Sequence, residues 1–279
     1  MSAAAEVSGA GEIRRVWPAA IAEGNHAGSE SSPPLSDADI VESLRSDAPV
    51  LRVNFVASVD GAVTHDGRSG GLSDDADKRH FELLRRVCDV VLVGAGTVRD
   101  EGYSAMRVSE ESARWRVANG MPPHPVFAIV SGSLDLDPSS DIFANAPVRP
   151  IVFTTSVAVA LAGVRADALA AVADVVVADL VIAETDNSGM TVARVHGPAL
   201  AGALHERGLR TILCEGGPHL FGSLLADGVV DELFLTVSPT LESGDAARLT
   251  VGALTASANL TLDAVLASGS TLLLRYSTG

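Results

Sequence analysis

The chain has 279 residues, enough to bury a core in one large domain or two small ones, and its 47% hydrophobic content excludes disorder over most of that length. A formal net charge of −15 argues against a nucleic-acid or membrane-surface binder, which presents a basic face, but leaves room for a phosphorylated small molecule in a local arginine pocket. No apolar run reaches the roughly 18 residues of a membrane span, the N-terminus lacks the basic-then-apolar signal pattern, and Cys88 and Cys214 flank apolar runs, as expected of core residues in a reducing cytoplasm.

Residues 1–47 are rich in Ala, Gly, Ser, Glu and Pro and are broken at Ser31-Ser32-Pro33-Pro34. They read as a partly flexible N-terminal arm, with one amphipathic helix over 36–46 capped by Ser36. Residues 48–279 then alternate between apolar runs and helical patterns. Strands are predicted at 51–57, 89–93, 125–130, 150–154, 174–177, 210–214, 231–238 and 270–276. Helices are predicted at 73–87, 97–101, 157–172, 198–207 and 218–227. Runs that are β-branched and apolar on both faces are strands covered by helices on either side. The expected fold is α/β, with a mostly parallel central sheet, helices on both faces and an antiparallel C-terminal strand pair, because no crossover helix separates the last two strands.

Two strand-to-helix turns carry glycines: Val93-Gly94-Ala95-Gly96-Thr97 and Cys214-Glu215-Gly216-Gly217-Pro218. Such turns let the backbone approach an oxygen-rich ligand, and the first helical amides then point at it. Thr97 adds a hydroxyl, and Pro218 suits the first helical position. Neither turn is the dinucleotide fingerprint or a P-loop, and a glycine turn capping an ordinary helix explains either one alone. Two of them at the ends of separate strands fit a dinucleotide better, since ligands of open α/β sheets bind at the strands' carboxyl ends.

Several runs together resemble a known family: Asn54-Phe55-Val56-Ala57-Ser58-Val59-Asp60-Gly61, Gly71-Leu72-Ser73, Leu83-Leu84-Arg85, the two glycine turns, and Val230-Asp231-Glu232-Leu233. The order is similar to that of the riboflavin-biosynthesis reductase domain, the C-terminal half of a bifunctional deaminase–reductase. The resemblance covers about residues 50–277. It implies a dihydrofolate reductase-like fold, NADPH as cofactor, a homodimer, and reduction of 5-amino-6-(5-phosphoribosylamino)uracil. It places Val56, Ala57, Gly71, Gly94, Gly96, Thr97, Val98, Glu101, Ser131, Gly216, Gly217, Pro218, His219 and Leu220 on the cofactor, with Ser131 at the adenosine 2′-phosphate. Ser69, Arg85, Arg107 and Glu215 fall on the substrate, and Asp60 lines the site. No His-x-Glu is followed by the deaminase's Pro-Cys-x-x-Cys, so no zinc is expected.

Hydride chemistry asks for one proton from the protein or water, and Asp60 and Glu215 are the candidate donors. Three departures from the family pattern matter. Ala62 follows Asp60-Gly61 where Lys or Arg is usual. Residues 101–107, Glu-Gly-Tyr-Ser-Ala-Met-Arg, replace Asp-Pro-x-Leu-Thr-x-Arg. Gly71 stands where Trp is usual. These departures open two alternatives, a reductase acting on a pteridine such as dihydrofolate and a catalytically silent NADPH-binding regulator. Arg85 lies on a helix crowded with Asp74, Asp75, Asp77, Lys78, Arg79, Glu82 and Arg86, most of which are expected to be solvated. His65, His80, His124, His205 and His219 show no metal-ligand spacing, and Gly222-Ser223 lies inside a helix rather than on a nucleophile elbow.

Overall fold

The computed structural model describes residues 11–18, 33–185, 191–252 and 257–279. In chain order the elements are β1 (Arg14–Trp17), α1 (Asp37–Ser43), β2 (Val50–Ser58), α2 (Asp75–Val87), β3 (Val90–Gly94), α3 (Ala95–Glu101), α4 (Glu110–Ala118) and β4 (Val126–Val130). There follow α5 (Asp141–Ala144), β5 (Ile151–Thr154), α6 (Ser156–Ala162), α7 (Val164–Val172), β6 (Asp174–Val177), β7 (Asp179–Thr185) and β8 (Thr191–Val195). The last are α8 (Gly197–His205), β9 (Thr211–Cys214), α9 (Pro218–Ala226), β10 (Glu232–Ser238), β11 (Leu260–Ser268) and β12 (Thr271–Thr278).

One ten-stranded sheet runs β1-β11-β12-β10-β2-β9-β3-β4-β5-β6, and β7 and β8 pair separately. From β10 to β6 every neighbouring pair is parallel. The β1–β11, β11–β12 and β12–β10 pairs are antiparallel. Alternation along the parallel strands explains the layers. Val91 and Val93 of β3 pack with Leu83 and Leu84 of α2 and Val98 of α3. Val90 and Leu92 face the other way, onto Leu200 and Leu204 of α8 and Phe221 and Leu224 of α9. Helices therefore cover both faces, as expected, and the strands' carboxyl ends stay open between them.

Several elements differ from the sequence-based expectation. The helix predicted over 157–172 is two helices, because Gly163 adopts φ 49° between α6 and α7. The hairpin β7–β8, the edge strand β1, the long β11 and the helix α4 are additional. Helix α4 lacks a clean apolar stripe. Its anchor is Arg116, fully buried, which donates to the carbonyls of Arg86 at 3.0 Å and Cys88 at 2.6 Å and so closes the C-terminal end of α2. The described part of the N-terminal arm belongs to the domain. Ile13, Ile40, Val41 and Leu44 pack in the core beside α2, and β1 pairs with β11. Ser36 caps α1 as expected, through a reciprocal capping box with Asp39.

Candidate active site

The two glycine turns meet. Strands β3 and β9 are neighbours, with Leu92 opposite Cys214, so both chains leave the sheet at the same edge. The Gly94 amide donates to the Gly216 carbonyl and the Glu215 amide to the Leu92 carbonyl, each at 2.9 Å. Gly216 sits at φ 109°, a region that favours glycine, and a Cβ there would press against the Phe55 ring at 3.4 Å. A Cβ on Gly217 would overlap the Thr97 hydroxyl. The N-termini of α3 and α9 thus open side by side, with Pro218 in the first turn of α9.

Beside them lies a cleft of about 560 Å³. Its lining includes Asn54, Phe55 and Val56 of β2, Ser69 and Gly70 of the following loop, Asp77, Lys78 and Phe81 of α2, and Thr97, Asp100 and Glu101 of α3. Val63, Thr64, Gly67, Ser73, Tyr103, Ala247 and residues 215–218 complete the wall. Glu101 accepts a hydrogen bond from the Ser69 amide at 2.8 Å, which ties α3 to the loop after β2. Of the expected site residues, Val56, Ser69, Thr97, Glu101, Glu215, Gly216, Gly217 and Pro218 converge on this cleft.

Glu215 and the remaining expected residues make contacts of their own. Glu215 is buried, its side chain 1% exposed, and Arg85 holds both carboxylate oxygens at 2.6 Å while the Tyr103 hydroxyl donates to Oε2 at 2.9 Å. Burial, then the carboxylate beside it, pushes the Tyr103 phenol well above its ordinary pKa, so it stays a neutral donor. Arg85 also stacks over Phe81, 4.3 Å from the ring centroid. Arg85 and Glu215 therefore satisfy each other, and Arg85 does not line the cleft. Asp60 is exposed and borders a separate hollow of about 330 Å³ with Arg248. It accepts from the Ser58 hydroxyl at 2.5 Å and from the amides of Ser243 at 2.8 Å and Glu242 at 3.1 Å. These bonds, the Ser58 hydroxyl first, pull its pKa down to about 2, so it is a poor proton donor.

Arg107 is exposed and donates to the Asn145 carbonyl at 2.8 Å, outside the cleft. Val98 and Ala57 are buried, Val98 within the hydrophobic core. Gly71 does not line the cleft. It packs against His65, whose ring would lie 2.9 Å from an added Cβ. Ser131 is buried with its hydroxyl unpartnered among the described residues, one position past Val130, which pairs with Gly94. Gly94, Gly96, His219 and Leu220 flank the paired turns without lining the cleft; Gly96 and His219 are exposed.

Sequence reasoning missed Asp77, Lys78, Phe81 and Tyr103 as cleft residues. Asp77 and Arg86, counted above with the solvated charges of α2, are buried. One signal pointed to Lys78, since it is the chain's single lysine. Burial, the largest effect, raises the Asp77 pKa from its ordinary value against the hydrogen bonds from Ser73 and Thr236.

Family comparison agrees with this fold. The model of the RibD C-terminal domain matches residues 49–274. The chain belongs to the RibD C-terminal domain family. Among RibD-related proteins, it is 27% identical over 197 residues to the 2,5-diamino-6-ribosylamino-4(3H)-pyrimidinone 5′-phosphate reductase of Archaeoglobus fulgidus, covering 70% of this chain and 83% of that one. It is 25% identical over 202 residues to the riboflavin biosynthesis protein RibD of Bacillus amyloliquefaciens, covering 72% of this chain but only 48% of that longer one. The crystal structure of a pyrimidine reductase-like protein from Corynebacterium diphtheriae superposes with a TM-score of 0.69 at 27% identity, over 83% of this chain and 92% of that one. The α/β architecture is thus the one that RibD-type reductases share.

Proposed function

We propose that this chain is the NADPH-dependent reductase of a phosphorylated ribosylaminopyrimidine in riboflavin biosynthesis, converting the ribose to ribitol. The observation that carries the proposal is the pairing of the two glycine turns, which brings Thr97 of α3 and residues 215–218, at the start of α9, to one cleft. The fit to a dinucleotide rests on two features. A Cβ at Gly216 would press against the Phe55 ring, and one at Gly217 would overlap the Thr97 hydroxyl, so only glycine lets the second turn lie this close to the cleft wall. Asp77, Asp100 and Glu101 outnumber Lys78 along the lining, so backbone amides and the Thr97 hydroxyl hold the cofactor's phosphates. NADPH, when bound, supplies the hydride. Phe55 and Phe81 keep water from the reacting face, Lys78 serves a substrate phosphate, and the Arg85–Glu215–Tyr103 cluster fixes the second turn in place. Two free, buried cysteines accord with a reducing compartment, so the reading places the enzyme in the cytoplasm; the homodimer is the assembly that the family resemblance implies.

NADPH consumption separates this reading from its rivals. The expected result is turnover with 2,5-diamino-6-ribosylamino-4(3H)-pyrimidinone 5′-phosphate or 5-amino-6-(5-phosphoribosylamino)uracil, and none with dihydrofolate. Turnover with dihydrofolate alone favours the pteridine alternative. A raised Tm with NADPH but no turnover favours the silent regulator, and no rise at saturating NADPH removes the cofactor assignment.

A further inference from the structure

Reduction of a ribosylamine consumes a proton as well as a hydride, and the two acids expected to supply it cannot. Asp60 lies outside the cleft and is held ionised, while Glu215 is shared by Arg85 and Tyr103. Among the described acids that line the cleft, Asp100 is exposed and Glu101 is engaged by the Ser69 amide. Asp77 differs from both. It is 6% exposed yet contributes to the wall, at the first turn of α2. Its backbone is fixed by the Asp74 side chain, which accepts the Asp77 amide at 2.9 Å. Its carboxyl is fixed by the hydroxyls of Ser73, another lining residue, and of Thr236. Thr236 stands opposite Val56 in the β10–β2 register, so the carboxyl is anchored beside the cleft floor.

We propose that Asp77 is the proton donor of the reduction, an inference that rests on the reductase reading above. When the sugar ring opens, a C=N bond joins ribose C1′ to the amine nitrogen. The carbon takes the hydride of NADPH, which leaves as NADP⁺. The π electrons move to nitrogen, which takes the proton of the Asp77 carboxyl. Asp77 is left as a carboxylate and regains a proton from solvent. The charged groups acting on it are Asp74, which favours the protonated form, and Lys78, which opposes it; burial outweighs both and raises the pKa. A general acid must be protonated to act, so the hydride-transfer rate is high at low pH and falls as pH rises through that raised value.

Single-turnover hydride transfer and infrared carboxyl titration test the assignment together. In the wild type, a protonated-carboxyl band persists above the pH at which ordinary carboxylates ionise, even without cofactor, and it disappears in Asp77→Asn. Asp77→Asn is expected to slow hydride transfer by about 100-fold or more and to remove the alkaline limb of the pH profile, with NADPH affinity within about threefold of wild type. Asp77→Glu recovers part of the rate. Ser73→Ala, which removes a hydrogen bond that favours the carboxylate, moves the limb to higher pH. A folded Asp77→Asn variant that transfers hydride within threefold of wild type, or keeps the limb, overturns the Asp77 assignment alone. A wild type that turns over neither pyrimidine overturns the reductase reading and this proposal with it.

Discussion

At the scale of single residues, the Arg85–Glu215 pair shows how the partners that a motif's residues take in the fold differ from those expected of them in the sequence. Glu215 is part of the cleft wall and Arg85 is not, and an ion pair made through two nitrogen–oxygen contacts, with one partner 1% exposed, engages both charges. Breaking such a pair strands a buried charge, at about 3–5 kcal/mol, which is a larger effect than loss of an exposed phosphate contact. Arg85→Ala is therefore expected to lower unfolding stability by that order in urea titrations. Arg85→Met combined with Glu215→Gln recovers most of the loss, because no bare carboxylate remains. A stability change under about 1 kcal/mol in Arg85→Ala, with substrate KM raised, would return Arg85 to phosphate binding. The sequence could not decide between these outcomes, because the partners are 130 positions apart and Tyr103, which completes the cluster, stands where the family pattern differs.

At the scale of elements, the parallel strands and their helices were legible because apolar runs and helical periodicity are local properties; β2, β3, β4, β5, β6, β9 and β10 all fall on predicted runs. The loops that shape the cleft carry no such periodicity. Residues 59–71 are clasped to 240–247 by backbone bonds, Val59 to Thr240 at 2.9 Å and Val63 to Ala247 at 3.1 Å, and by Asp60 holding two amides. His65 Nδ1 also meets Glu242 at 2.6 Å, across 177 positions of sequence. The hydrogen bond to Glu242 and its charge raise the His65 pKa. Its contribution is fully present below the ordinary histidine value near 6.5 and is lost as pH rises through the raised one, whereas Asp60 keeps its amides until pH falls toward about 2. The clasp is expected to loosen on the alkaline side first. Hydrogen exchange in residues 60–70 and 240–247, corrected for intrinsic rates, should accelerate as pH rises through the raised His65 value in the wild type but show no such step in His65→Gln. A step shared by both proteins would assign the loosening to another group.

At the scale of the whole molecule, pH acts on stability through two neighbours on α2 that pull in opposite directions. His80 is buried beside Phe234, with ring centroids 5.6 Å apart. Burial, assisted by Arg79, depresses its pKa to about 4. An unfolded histidine titrates near 6.5, so between those values the unfolded chain binds a proton that the fold refuses. The neutral-ring contribution is complete above 6.5 and declines by on the order of 3 kcal/mol by pH 4. Asp77, one turn earlier, has the opposite sign. Its raised pKa means that the unfolded carboxyl ionises first, so its effect costs stability as pH rises above the ordinary carboxylate value near 3.9. The measured slope between pH 4 and 6.5 is therefore a difference of two titrations, and single variants separate them. His80→Gln should flatten the loss of urea midpoint on acidification, and Asp77→Asn should steepen it, because the opposing gain is gone. The same Asp77→Asn protein that loses hydride transfer should thus gain stability at neutral pH, the expected sign for a buried acid retained for chemistry rather than for folding. Loss of stability in Asp77→Asn at pH 7 would instead make the carboxyl a structural anchor for Ser73 and Thr236.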